Sequence, residues 1–125
     1  MTQSILIVDD EPMARNLLRL MLVRANFNVD EAEDGLDALR KLEQSRPDLL
    51  ILDVMMPGLD GLSVCRQVRT QADLRDLPII MLSAKTDFKS IQQGLEAGAS
   101  QYLTKPISAD ELIRHVHSTF EKIPV

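Results

Sequence analysis

Apolar residues along this chain come in two arrangements, unbroken runs and helical spacings, and the two take turns from end to end. Residues 4–9, SILIVD, predict a strand buried on both faces, and Pro12 suits the first turn of a following helix. In that helix Met13, Leu17, Met21 and Ala25 fall on one stripe, predicted to face the core. Residues 27–32 instead alternate Phe27 and Val29 with Asn28 and Asp30, as a less buried strand would. A helix over 35–45 turns Leu36, Leu39 and Leu42 inward, Pro47 breaks it, and LLILD at 49–53 is a second unbroken apolar strand. MPGLDG at 56–61 is loop chemistry. A helix over 62–70 and a polar connection lead to a third unbroken strand, PIIMLSA at 78–84. The next helix, 88–97, is apolar mainly at Phe88, Ile91 and Leu95 and is closed by Gly98 in the C′ role. QYLT at 101–104 reads as a short strand. Ser108 and Glu111 form a capping box for the last helix, which turns Leu112, Ile113, Val116 and Phe120 inward.

Strict alternation of strand and helix with short connections implies a mainly parallel sheet with helices on both faces. Strands apolar at every position belong in the centre, and the alternating second and short fifth strands at the edges. The doubly wound order 2-1-3-4-5, a flavodoxin-like α/β fold, satisfies all five assignments. Its winding reverses between the first and third strands, and ligand sites in such sheets lie beyond the strands' carboxyl ends at that point. That rim gathers Asp9 and Asp10 from the first strand and Asp53 from the third, with Ser83 and Lys105 from the fourth and fifth.

Composition narrows the class. A chain of 125 residues fits one domain, and a net charge of −5 argues against direct contact with nucleic acid. No stretch approaches the ~20 apolar residues of a membrane span, and the start lacks the pattern of a secretion signal. These features lead to the expectation of a cytoplasmic protein without a membrane partner. Cys65 shares helical spacing with Leu62 and Val68 and reads as a packed thiol. Met13, Met21 and Met81 read as core filling, and His115 and His117 as exposed polar residues.

Three clustered carboxylates repel one another and need a cation to stay ionised, and hard oxygen ligands favour Mg²⁺. A carboxylate can also attack phosphorus to give an aspartyl phosphate, with Mg²⁺ and a lysine offsetting the transferred charge. Asp53, alone on its strand, is the nucleophile candidate, and the adjacent Asp9 and Asp10 suit a metal. Each residue also has a plainer reading: Asp9 and Asp10 as caps of the first helix, Asp53 as a turn residue, Ser83 as a cap and Lys105 as a solvated lysine.

Four segments now combine: VDDEP at 8–12, LDVMMPGLDG at 52–61, PIIMLSA at 78–84 and YLTKP at 102–106. In that order, at predicted strand ends, they resemble a response-regulator receiver domain, the phospho-accepting half of two-component signalling. The resemblance covers essentially all 125 residues. It implies that Asp53 is the phosphoacceptor, that Asp10 ligates Mg²⁺ directly and Asp9 through water, and that the Met55 carbonyl supplies another oxygen. It implies that Lys105 contacts the phosphoryl group, that Ser83 and Tyr102 are the switch residues, and that the Lys105–Pro106 bond is cis. It also implies a sensor histidine kinase or histidine phosphotransfer protein as donor, and an effector bound through the fourth helix, fifth strand and fifth helix. Tyr102 is expected to turn in from solvent on phosphorylation.

Two positions, Met55 and Lys85, lie two residues past Asp53 and Ser83, where the family tunes phosphoryl lifetime. Neither side chain can hold an attacking water as an acceptor, so a long lifetime is expected. A haloacid-dehalogenase-type phosphatase would want an acid at Met55, and a nucleotide hydrolase a GxxxxGK loop that the sequence lacks. A flavodoxin-like cofactor module would want a glycine- and hydroxyl-rich loop where DDEP stands. The expectation is therefore a switch without separate substrate turnover, a single receiver domain over 1–125 with no effector domain in this chain. That organisation fits a free-standing regulator and a receiver segment of a longer protein equally.

Overall fold

The computed structural model describes residues 2–121. Residues 1 and 122–125 lie outside the described residues, and with them the chain end on which the expectation about an effector domain rests. The elements in chain order are β1 (Ser4–Val8), α1 (Pro12–Arg24), β2 (Asn28–Ala32), α2 (Gly35–Gln44) and β3 (Leu49–Asp53). Then follow α3 (Gly61–Thr70), β4 (Ile79–Ser83), α4 (Phe88–Glu96), β5 (Gln101–Thr104) and α5 (Ala109–Glu121). All four strand pairings are parallel, in the order β2-β1-β3-β4-β5.

Every residue of β3 and β4 is buried, as their apolar runs require, whereas β2 at the edge alternates exposed and partly covered positions. Alternate side chains of the sheet feed two cores. Ile5, Ile7, Ile51 and Leu82 pack with Leu18 and Leu22 of α1 and Leu112 and Val116 of α5. Leu6, Val8, Leu52 and Met81 pack on the other side with Ala38 and Leu42 of α2 and Val64, Cys65 and Val68 of α3. Cys65 is buried, as its spacing suggested, and its thiol donates to the Ala97 carbonyl at 3.3 Å. Among the described residues no helix is long and apolar enough to cross a membrane.

Helix ends follow local chemistry. Glu11 caps α1, its carboxylate accepting from the amides of Met13 and Ala14, which leaves Asp9 and Asp10 free of that task. Asp34, Asp60 and Asp87 cap α2, α3 and α4 in the same way, so Ser83 caps no helix. Ser108 caps α5 as expected, its oxygen accepting from the Glu111 amide, but the Glu111 carboxylate accepts from the Ser108 hydroxyl instead of its amide, so the box is half made. Gly98 closes α4 at φ 115°, the left-handed conformation that a C′ position wants.

The helices depart from expectation in three places: the stripe of α1, Leu36 of α2 and His115 of α5. In α1 the buried residues are Leu18 and Leu22, while Met13 and Leu17 are 79% and 54% exposed, so Met13 fills no core. This helix is apolar on two sides, and spacing alone does not say which side meets the sheet. Leu36 is also exposed, because Gly35 and Ala38 bring the start of α2 close to its neighbours. In α4 the one buried residue is Gly94, and Phe88 and Leu95 face outward. His115 is half-buried rather than exposed: its Nδ1 lies 2.9 Å from Gln101 Oε1, while the Gln101 amide donates to the His115 carbonyl. His117 is exposed, with its ring 5.7 Å from that of Phe27.

These faces carry a direct consequence. Leu22→Ala should lower unfolding free energy by about 2–5 kcal/mol. Leu36→Ala should change it by no more than about 0.5 kcal/mol. Urea denaturation of the two variants checks the assignment, and equal losses would contradict it.

Candidate functional site

The carboxyl ends of β1, β3, β4 and β5 meet at one end of the sheet, and each delivers a polar side chain there. Asp9 continues directly from β1, its amide donating to Ala32 of β2 as the ladder ends. Asp53 is the last residue of β3 and Ser83 the last of β4. Lys105 follows β5, held by its amide to the Ser83 carbonyl at 2.8 Å, and the Lys105–Pro106 bond is cis.

Asp9, Asp10 and Asp53 each offer a carboxylate oxygen, and these oxygens all lie within 4.8 Å of one another. Asp9 and Asp53 are buried. The Lys105 ammonium stands between them, 3.0 Å from Asp9 Oδ2 and 3.7 Å from Asp53 Oδ2. It is therefore no solvated surface lysine. Asp9 Oδ1 accepts from the Glu11 amide at 2.9 Å, and the Asp9 carbonyl accepts from Arg15 Nη1 at 2.8 Å. Asp53 Oδ1 accepts from the Met55 amide at 3.3 Å. Burial pushes the Asp53 carboxyl above its ordinary value; Lys105 opposes that rise, and Asp9 and Asp10 add to it.

Ser83 is fully buried, and its oxygen accepts from the Lys85 amide at 3.2 Å. Its own proton has no acceptor among the described residues. Tyr102 departs from the expectation of a ring out in solvent. It is half-buried against α4, and its hydroxyl donates to the Lys85 carbonyl at 2.9 Å. A Cβ at Gly94 would lie 2.7 Å from Tyr102 Cδ2 and 2.9 Å from Met81 Sδ, so this ring position requires the glycine. Met55 and Lys85 are exposed and line a common cavity of about 420 Å³ with Val54, Asp60 and Gln93.

The donor set fits a small hard cation: three carboxylates in reach of one another, open on one side through Asp10. Sequence reasoning brought these acids, Ser83 and Lys105 to one rim, as the structure does. It missed Arg15 and Gly94. An arginine one turn into a helix after two acids, and a glycine inside a helix otherwise free of breaks, were the available signals.

Comparison with known proteins finds relatives along nearly the whole chain. A family model described as the response regulator receiver domain matches residues 5–117. The transcriptional regulatory protein ResD of Bacillus subtilis (strain 168) is 45% identical over 119 residues, which cover 95% of this chain and 48% of ResD. The response regulator MprA of Mycobacterium ulcerans (strain Agy99) is 43% identical over 122 residues, covering 98% of this chain and 52% of MprA. The chain thus spans about half the length of these curated relatives. The solved receiver domain of sensor histidine kinase PA1611 from Pseudomonas aeruginosa PAO1 superposes with a TM-score of 0.91 at 34% identity. The match covers 98% of this chain and 100% of that one, and that structure has a magnesium ion coordinated in its active-site cleft.

The raised Asp53 carboxyl sets a pH dependence. Below its ordinary value of 3.8 the group is protonated folded or unfolded and has no effect on stability. As pH rises through that value the unfolded chain loses the proton first, so Asp53 increasingly destabilises the fold until it too ionises. In metal-free buffer Asp53→Asn should match wild type near pH 4 and become the more stable protein toward about pH 7. Urea melts in EDTA across that range test this, and a wild type more stable than the variant at neutral pH would refute it.

Proposed function

The chain belongs to the response-regulator receiver family, and from that premise we propose that it is a phosphorylation-dependent signalling switch whose phosphoacceptor is Asp53. The observation that carries this reading is a buried carboxylate at the end of the third strand, faced by a lysine ammonium at 3.7 Å and by two further acids. In the proposed step an Asp53 oxygen attacks phosphorus of a phosphohistidine. The new O–P bond forms as the N–P bond breaks, and the donor imidazole leaves with the bonding pair. The donor is a sensor histidine kinase or a histidine phosphotransfer protein, acting in the cytoplasm.

Asp9, Asp10, Asp53 and the Met55 carbonyl are the residues suited to hold Mg²⁺, Asp10 directly and Asp9 through water. When bound, the ion supplies positive charge against the phosphoryl oxygens. Lys105, shared by two carboxylates before transfer, gains a third anionic partner and shifts toward it. The unengaged proton of Ser83 donates to a phosphoryl oxygen. That pull acts on the loop whose Lys85 carbonyl holds Tyr102, so the change passes to α4, β5 and α5. Lys89, Gln92, Gln93, Glu96, Arg114 and Glu121 are exposed on α4 and α5 and would meet an effector there. No separate substrate is turned over.

Acetyl phosphate with Mg²⁺ should add one phosphoryl group per chain, read by intact mass. Asp53→Asn should take up none, and EDTA should abolish the wild-type signal. Undiminished labelling in either case removes Asp53 from this role.

The lifetime depends on whether a water is placed in line with the Asp53–phosphorus bond. Met55 and Lys85, two residues past Asp53 and Ser83, would be the side chains nearest that water, and neither offers it an acceptor. Once donor is removed, Met55→Asn/Lys85→Glu should lose its phosphoryl group roughly ten- to a hundred-fold faster than wild type. Equal decay rates would show that these two side chains do not set the lifetime.

A further inference from the structure

Asp10 differs from the other acids of the site in having no hydrogen bond or ion pair to its carboxylate among the described residues. Asp9 is held at each polar atom: its amide by Ala32, its carboxylate by Glu11 and Lys105, its carbonyl by Arg15. That last bond matters for the next residue. The carbonyl of Asp9 and the N–Cα bond of Asp10 share one rigid plane, so fixing the carbonyl fixes where the Asp10 Cα sits and leaves only φ to aim its side chain.

We propose that Arg15 is a positioning residue for Asp10, acting through the 9–10 peptide plane; the inference rests on the reading of these acids as a Mg²⁺ site. Arg15 is well placed for the task. Its Nη1 reaches the Asp9 carbonyl at 2.8 Å while its Nε pairs with Glu31 Oε1 at 3.1 Å, and its side chain is only 19% exposed. Glu31 in turn sits on β2 opposite Ile7 of β1, on the face that α1 covers. The guanidinium therefore ties three pieces together: the helix that carries it, the edge strand and the peptide before Asp10. A lysine in its place has donors enough but no planar fork, so it cannot hold both acceptors in the geometry that Nη1 and Nε fix. Since Glu31 balances its charge, the contribution is chiefly one of geometry.

Arg19 provides an internal comparison. It donates to the other oxygen of the same Glu31, at 3.1 Å, yet makes no contact with Asp9. A role limited to stapling α1 to β2 would involve Arg19 as much as Arg15. Partners of metal-ligand residues typically contribute ten- to a hundred-fold to metal affinity.

The test is Mg²⁺ titration of the full chain followed by amide NMR, with denaturation in EDTA recorded separately to score folding. Arg15→Met and Arg15→Lys should both raise the Mg²⁺ Kd by about tenfold and shift the Asp10 amide resonance before any metal is added. Arg19→Met should leave both readouts at wild-type values. Unchanged affinity in Arg15→Met, or equal weakening in Arg19→Met, overturns the proposal. Wild-type affinity in Arg15→Lys assigns the effect to charge and overturns the fork. If the wild type itself does not bind Mg²⁺ while all variants fold, the reading of the acids as a metal site fails, and this inference with it.

Discussion

Lys105 crosses the end of the sheet from β5 to β1, and its ammonium lies 3.0 Å from Asp9 and 3.7 Å from Asp53. One partner lies near the start of the chain and the other near its middle, on strands that are not neighbours of β5. The contact exists only if β3 and β4 are inserted between them in parallel register, so it depends on the whole sheet. In return, it supplies positive charge where two buried carboxylates would otherwise repel each other across low-dielectric surroundings. The apolar strands and the acids at their ends are therefore one arrangement. A sheet buried on both faces gives a rigid rim, and the rim brings charged groups closer than a flexible loop would hold them.

Much of this was legible in the sequence because the strands carry strong, unambiguous patterns. ILIV, LLIL and PIIML are apolar at each position before Asp9, Asp53 and Ser83, which leaves them only the centre of a parallel sheet. Their order then determines which ends meet, and Asp9, Asp53, Ser83 and Lys105 follow. The helices were less legible. Helix α1 places Met13, Leu17, Leu20 and Val23 outside and Leu18 and Leu22 inside, so two competing stripes satisfy the helical period. Packing against Ile5 and Ile7 of the sheet and Val116 of α5 selects the second stripe. Arg15 looked like any helical arginine, because its role depends on a carbonyl that no pattern of side chains records. The bond from Gln101 to His115 was invisible for a related reason: it links a strand to a helix through an amide whose partner depends on tertiary packing.

The two ends of α4 are held very differently. At its far end Arg69 donates twice to the Gly98 carbonyl and again to the carbonyls of Leu74, Arg75 and Leu77. This fastens the helix terminus to the connection between α3 and β4. At its near end Phe88 is 80% exposed, and the Asp87 cap is local to the helix. A helix anchored at one end and lightly packed at the other is disposed to pivot rather than slide, with its larger excursion beside Ser83 and Lys85.

Gly94 gives that pivot its logic. A glycine inside a helix costs about 1 kcal/mol relative to alanine, so α4 is intrinsically a weaker helix than its other residues would make it. The same missing methyl group is the space in which the edge of the Tyr102 ring rests. Helix and ring thus share one small volume, and neither can be redesigned alone. A substitution that strengthens α4 expels the ring, while a smaller residue at 102 leaves a hollow beside Met81 and a helix with less to rest on. Residue size at position 94 and ring position at 102 are therefore set together by one shared volume.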